Sequence, residues 1–155
     1  MGSQGKEPLV RVHCESCTGI AGLERVHELM ADYWRAVDTA GCGAADAGWR
    51  ALFDSAVAEI AGNIVRHAYP EPADDDRFQV TLQCFCDRME AILMDQGVPY
   101  NLEPPSRSAD MRDALDDFDL DHGWGLPIAY AATDSLEYER LPDGSNRWRL
   151  DKRFP

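Results

Sequence analysis

The chain has 155 residues, 45% of them hydrophobic, and a formal net charge of −13 at pH 7. That length fits one domain with its own core, no apolar run approaches membrane-spanning length, and the acidity repels nucleic acid, which argues against direct DNA or RNA binding. The N-terminus has no basic-then-apolar leader, so the expectation is a soluble cytoplasmic protein with no membrane attachment.

Taken in chain order, Leu9 to His13 reads as a short strand. Thr18 is placed to cap a helix carrying Ile20, Leu23, His27, Met30 and Trp34 on one face. Gly41-Cys-Gly43 reads as a loop. A second helix starts near Asp46 and runs to His67, where Pro70 and Pro72 stop it. Phe53, Val57, Ile60 and Ile64 recur on one side of it and predict a buried stripe. From Phe78 to Cys86 the pattern alternates with period two, hence a strand. Asp87-Arg88 turns the chain back, and Met89 to Met94 forms the partner strand that delivers Asp95 at its end. Residues 98–122 lack periodicity and read as a long loop, with one helical turn around Met111 to Leu115. Gly125 opens a third helix with Pro127 in its first turn. Leu136 to Arg140 and Arg147 to Asp151 are strands joined through Pro142-Asp-Gly144. The order β α α β β (loop) α β β predicts an α+β two-layer sandwich, a mostly antiparallel mixed sheet covered on one face by about three helices. One domain, residues 9–153, accounts for it.

Five cysteines make poor material for a disulfide framework. Cys14-x2-Cys17 lacks the second pair a zinc site needs, and Cys84-x-Cys86 has the wrong spacing. Reduced, partly buried thiols are expected. Trp34, Trp49 and Trp148 fall in periodic segments and read as core or interface. Asp74-Asp-Asp76 reads as a surface turn.

Three short motifs carry chemistry. Glu59, Asn63 and His67 are spaced by four and share one side of the second helix. Glu59 and Asn63 each precede a stripe residue, so they sit at the rim of the buried face. A carboxylate there can take a proton from an attacking hydroxyl, and an amide oxygen is a hard neutral ligand suited to Mg²⁺. Spacing alone fits equally an ordinary helix with polar edges. His67 is expected to pack at the helix end and hydrogen-bond locally. Asp95 at a strand end can accept a bond from an exocyclic amine such as that of adenine, and Gly97 lets a base approach the backbone, although Asp-x-Gly is also a common turn. Gly123-Trp124-Gly125-Leu126 precedes a helix, where backbone amides free of Cβ obstruction form an anion site. The P-loop and the protein-kinase motifs are absent.

The order of these motifs resembles the GHKL ATPase superfamily. His67-Ala-Tyr69, Val98-Pro-Tyr100 and Asp143-Gly-Ser-Asn-Arg-Trp-Arg-Leu150 narrow the resemblance to the anti-sigma-factor serine kinases. That resemblance implies a histidine-kinase-like ATP-binding fold with ATP and Mg²⁺ as cofactors. It implies Glu59 as general base, Asn63 as the Mg²⁺ ligand and Asp95 with Gly97 as the adenine site. Gly123, Trp124, Gly125 and Leu126 would bound a lid of about residues 98–122 over the phosphates. Arg107 and Arg112 are the candidate cations in that lid, which also carries Asp110, Asp113, Asp116, Asp117, Asp119 and Asp121. These aspartates are either solvated or face a basic patch on a partner. An acidic chain repels a triphosphate unless a metal and backbone amides neutralise it, which makes Mg²⁺ necessary to any ATP reading.

The resemblance further implies partner switching: a sigma factor sequestered in one state, and an anti-anti-sigma protein phosphorylated on serine in the other. Homodimerisation through the first helix (Leu23, Val26, Met30, Trp34) is a further expectation. The rival reading is a non-catalytic ATP-binding module that gates a partner through its lid. A structural domain without nucleotide is the third.

Overall fold

The computed structural model describes residues 7–43, 45–100 and 125–155. Strand β1 (Val10–Cys17) leads into helices α1 (Ile20–Ala40) and α2 (Ala47–Asn63), and α2 continues as a single π-helical turn over Ile64–Ala68. Strands β2 (Arg77–Cys84) and β3 (Arg88–Asp95) follow, then α3 (Gly125–Ala132), β4 (Ser135–Arg140) and β5 (Asn146–Arg153). The strands form one sheet in the order β1-β2-β3-β5-β4. Its four pairings are all antiparallel, so among the described residues nothing makes the sheet mixed.

The expected α+β architecture is therefore present, and its core follows from alternation along the strands. Phe78, Val80, Leu82 and Cys84 of β2, Met89, Ala91 and Leu93 of β3, and Trp148 and Leu150 of β5 are buried with the helices. The α2 stripe of Phe53, Val57, Ile60 and Ile64 is buried as its spacing predicts. Tyr33 sits fully inside this core, where its hydroxyl donates to the Gln83 carbonyl at 2.8 Å and also meets Met89 Sδ. A buried hydroxyl needs such a partner, since leaving it unmet costs about 1–3 kcal/mol.

Four details differ from the sequence reading. β1 runs to Cys17 rather than His13. The N-cap of α1 is Gly19, with no side-chain bond, and not Thr18. The buried face of α1 is Gly22, Val26, Leu29, Met30, Tyr33 and Val37, whereas Ile20 is 78% exposed and His27 is exposed. The shift has a cause. A Cβ on Gly22 would lie 1.7 Å from the Cys17 carbonyl oxygen, so this glycine is the point where α1 rests directly on the end of β1. The expected dimer surface on α1 fails for the same reason: Val26 and Met30 are core, and Leu23 and Trp34 pack against it. Asp46 does cap α2, accepting from the Trp49 N–H at 2.8 Å.

Candidate functional site

The site is built where α2 ends against the turn after β3. Asp95 is the last residue of β3 and faces inward, 3% exposed. Its Oδ1 accepts from the Gly97 N–H at 2.8 Å and from Asn146 Nδ2 at 2.7 Å. Among the described residues both bonds fall on Oδ1, so Oδ2 is the acceptor that remains for a ligand donor. Burial pushes the Asp95 carboxyl above the usual carboxylate range, against the pull of Asn146, the Gly97 N–H and Arg140. These donors favour the anion and keep a buried acid usable as an acceptor.

Asn146, the first residue of β5, stands opposite Asp95 in the β3–β5 register and is 2% exposed. Its amide also donates to the carbonyls of Gly97 (3.3 Å) and Val98 (3.1 Å). Its oxygen accepts from the Tyr138 hydroxyl (2.7 Å) and Arg140 Nη1 (3.0 Å). Arg140 also reaches the Gly97 carbonyl at 2.8 Å, and the Tyr138 hydroxyl accepts from the Tyr100 N–H at 2.8 Å. One buried amide thus ties Asp95, Gly97 and Val98 together, and through Tyr138 it reaches Tyr100. Tyr100 packs edge-on against Tyr138 and Trp148, and those two rings lie tilted to each other, with centroids 4.8–5.7 Å apart.

The helix side is joined to this turn through backbone. The Val98 N–H donates to the Ala68 carbonyl at 2.8 Å. A Cβ on Gly97 would lie 2.1 Å from that oxygen and 2.6 Å from its carbon, so glycine is required by the approach of the helix end. The sequence reading gave Gly97 to the base; its position against Ala68 supplies a structural reason as well. Tyr69 adds a clamp: its hydroxyl accepts from the Gln96 N–H (2.8 Å) and donates to the Arg77 carbonyl (2.7 Å).

Upstream on the same helix, Glu59 and Asn63 are half-buried, as their rim position predicts. Among the described residues the Glu59 side chain has no hydrogen-bond partner. Asn63 Oδ1 accepts from Arg66 Nη2 at 3.1 Å, because Arg66 folds back over Gly62, whose Cβ would meet its guanidinium at 3.1 Å. His67 is exposed and its imidazole makes no hydrogen bond among the described residues, contrary to the expected local packing. Gly125 opens α3 and Leu126 is buried. Arg107, Arg112, Gly123, Trp124 and the expected helical turn at Met111 to Leu115 lie outside the described residues.

The residues fit the groups the sequence implies. Asp95 presents a buried carboxylate whose Oδ2 is unengaged among the described residues, suited to a purine amine. Asn63 presents one neutral oxygen, and an amide oxygen has two lone pairs, so a cation can approach it beside or in place of Arg66. Sequence reasoning assigned no role to Asn146, Tyr138, Arg140, Tyr69 or Arg66. Asn146 lay within the recognised tail, but its partner Asp95 is 51 positions away, and only strand register joins them.

The chain thus joins a strand-end carboxylate to a helix terminus inside an antiparallel α+β sandwich. The chain belongs to the histidine kinase-like ATPase domain family, which matches residues 21–151. The family is one of ATP-binding domains. In fold the chain is similar to the structure of the RsbU and RsbW domains of Rv1364c from Mycobacterium tuberculosis, at 16% identity and TM-score 0.61. That similarity covers 94% of this chain and 32% of the other, so the chain spans about a third of that protein's length. It is similar too to a chain of the SiaB–SiaC complex from Pseudomonas aeruginosa, at 14% identity and TM-score 0.58, covering 92% of this chain and 89% of that one. A comparison with curated proteins gives no significant match. Among the described residues no helix is long and apolar enough to cross a membrane.

Proposed function

We propose that this chain is an anti-sigma regulatory factor that works as an ATP- and Mg²⁺-dependent serine protein kinase on an anti-anti-sigma protein, in the cytoplasm. The observation that carries the nucleotide part is Asp95: a buried carboxylate with its described bonds gathered on one oxygen, held by Asn146 and the Gly97 N–H. Such an acid accepts from an exocyclic amine with its second oxygen and rejects a base that offers only acceptors. Asn63 would hold the metal through its amide oxygen, and Arg66, which donates to that oxygen at 3.1 Å, would supply positive charge beside it. Glu59 at the cleft rim, without a competing partner among the described residues, takes the proton of the incoming serine hydroxyl. Mg-ATP, when bound, supplies the phosphoryl group. The remaining catalysis is positioning and charge neutralisation. The kinase class and the partners rest on the sequence resemblance, and the fold neighbours, an RsbW domain and a SiaB–SiaC complex, support the partner-switching reading.

The test is direct. Wild type, Glu59→Ala and Asp95→Asn are each titrated with Mg-ATP and incubated with a candidate anti-anti-sigma protein. Wild type should bind and transfer phosphate. Glu59→Ala should bind and transfer about 10²–10⁴-fold more slowly. Asp95→Asn should fold and fail to bind. Binding by wild type with no transfer to any candidate leaves the non-catalytic module. Undiminished ATP binding by Asp95→Asn overturns the assignment of the adenine site.

A further inference from the structure

Helices α1 and α2 leave a cavity of about 300 Å³ between them, lined by His27, Met30 and Ala31 of α1 and by Asp54, Ser55 and Ala58 of α2. Met30 belongs to the core, whereas His27, Ala31 and Ser55 are exposed, so the cavity opens to solvent. Asp54 is half-buried in its wall. Trp34 Nε1 donates to both Asp54 oxygens, at 2.8 and 3.1 Å, and among the described residues this N–H is the only donor to the carboxylate. No lysine or arginine pairs with Asp54 among the described residues. Arg50, which acts on Asp54 through space, is engaged elsewhere: its Nη2 bonds Asp38 at 2.7 Å, and its guanidinium lies 4.6 Å from the centre of the Trp34 ring.

A carboxylate offers about four lone-pair sites, and one shared N–H leaves most of that capacity unspent. An acid in an apolar wall, with one neutral donor and no paired cation, is matched by a positive group on a short apolar stem. Such a group makes a charge-assisted bond to Asp54, and its methylenes lie against Met30, Ala31 and Ala58. Ligand sites span roughly 300–1,000 Å³, so this cavity suits one side chain better than a larger free ligand. Its rim admits a protein, because Ala31, Ser55 and Ala58 are small and let a partner's backbone come close. The net charge of −13 favours a basic partner surface. Ser55 also stands four residues before Glu59, one helical turn or about 6 Å along α2. A segment anchored in the cavity therefore lies beside the rim that carries Glu59.

We propose that the α1–α2 cavity holds one arginine or lysine side chain of the protein partner whose hydroxyl comes to Glu59, with Asp54 as its counter-charge. The cation site rests on the cavity and on Asp54 alone. Its assignment to the phosphate-accepting partner rests on the kinase reading above.

The Trp34 indole N–H reports on Asp54 directly, so nitrogen–proton correlation spectra of the full chain test the site, with that signal assigned by its loss in Trp34→Phe. The probe is the peptide acetyl-Ala-Ala-Arg-Ala-Ala-amide, beside its Gln counterpart and free butylguanidinium. The Arg peptide should shift the Trp34 signal saturably, with Kd on the order of millimolar, and the Gln peptide should not. Asp54→Asn keeps an acceptor for Trp34 and should weaken the peptide about tenfold or more. Ala31→Leu fills the cavity from an exposed position and should abolish the shift. In phosphate transfer to a candidate partner, Asp54→Asn should raise KM about tenfold and leave kcat within about twofold. No transfer by wild type counts against the kinase reading, and the peptide titration then decides the cavity by itself. Absence of a saturable shift, equal shifts from the Gln peptide, undiminished binding by Asp54→Asn or Ala31→Leu, an unchanged KM, or butylguanidinium binding more tightly than the peptide would each overturn the proposal.

Discussion

Replacing Asn146 by aspartate tests the inner wiring of the site. In the native chain Asn146 Nδ2 stands 2.7 Å from Asp95 Oδ1, inside the protein. Asn146→Asp exchanges that donor for an oxygen, so two carboxylates meet at contact distance. With both ionised, the repulsion is about 6 kcal/mol at an effective dielectric of about 20. Protonating one of them costs less: about 1.4 kcal/mol per pH unit above the ordinary aspartate value of about 3.9, hence about 4 kcal/mol at pH 7 and under about 1 kcal/mol at pH 4.5. The lower cost governs, and the shared proton restores an O–H donor to the pair. The folded variant then binds a proton that its unfolded chain has released, so its stability relative to wild type falls as pH rises across this window. Asn146→Ala is the control. It strands Asp95 without adding charge and should cost about 2–3 kcal/mol with a shallower dependence on pH. Urea unfolding followed by tryptophan fluorescence at both pH values measures the difference. An Asn146→Asp penalty that is equal at the two pH values would falsify the reasoning, because it would mean that position 146 does not face Asp95.

Other expectations follow from the same geometry. Gly97→Ala drives a methyl into the Ala68 carbonyl and breaks the Val98–Ala68 bond, for a loss of about 2–4 kcal/mol in urea unfolding; stability within about 0.5 kcal/mol of wild type would contradict the close approach. Asp46→Ala removes the bond to the Trp49 N–H and should lower stability by about 1 kcal/mol, with Asp46→Asn nearly neutral. Burial between α1 and α2 raises the Asp54 carboxyl, with Trp34 Nε1 pulling the other way at 2.8 Å. The folded chain therefore binds that proton more readily than the unfolded one, and the Asp54 contribution is lost as pH rises from the ordinary aspartate value through the raised one. Asp54→Asn should flatten that part of the pH–stability profile; an unchanged profile would remove Asp54 as its source. Cys42 and Cys84 have sulfurs 3.5 Å apart, and burial pushes the Cys84 thiol up to about 12. Diamide should cross-link these two thiols slowly, as read by peptide mass spectrometry, since the Cys84 thiolate is scarce at neutral pH; preferential cross-linking of Cys14 to Cys17 would contradict the arrangement.

Local pattern was sufficient for the elements and their order. Period-two alternation in β2, the Phe53–Ile64 stripe in α2, the start of α2 near Asp46 and the Pro142-Asp-Gly144 turn are short-range properties, and each appears close to where the residues place it, with β2 ending at Cys84 rather than Cys86. Pattern was weaker where two elements meet. The face of α1 was misread although its buried set, Val26, Leu29, Met30, Tyr33 and Val37, keeps helical spacing; the helix lies in the register that also rests Gly22 on the Cys17 carbonyl. The recognisable motif residues Glu59, Asn63, Asp95 and Gly97 were legible in one dimension because each sits at a helix rim or a strand end. Their surroundings were not. Asn146 meets Asp95 only through β3–β5 register, Gly97 meets Ala68 only through the packing of a helix end on a strand turn, and Arg66 covers Asn63 only because Gly62 leaves room. The linear order of residues by itself determined which segments would be strand or helix and which side chains are offered at a helix rim or a strand end, since both depend on neighbours a few positions apart. Tertiary structure decided which of those groups touch and how Asp95 is buried and satisfied, since these depend on residues that only folding brings within a few ångströms.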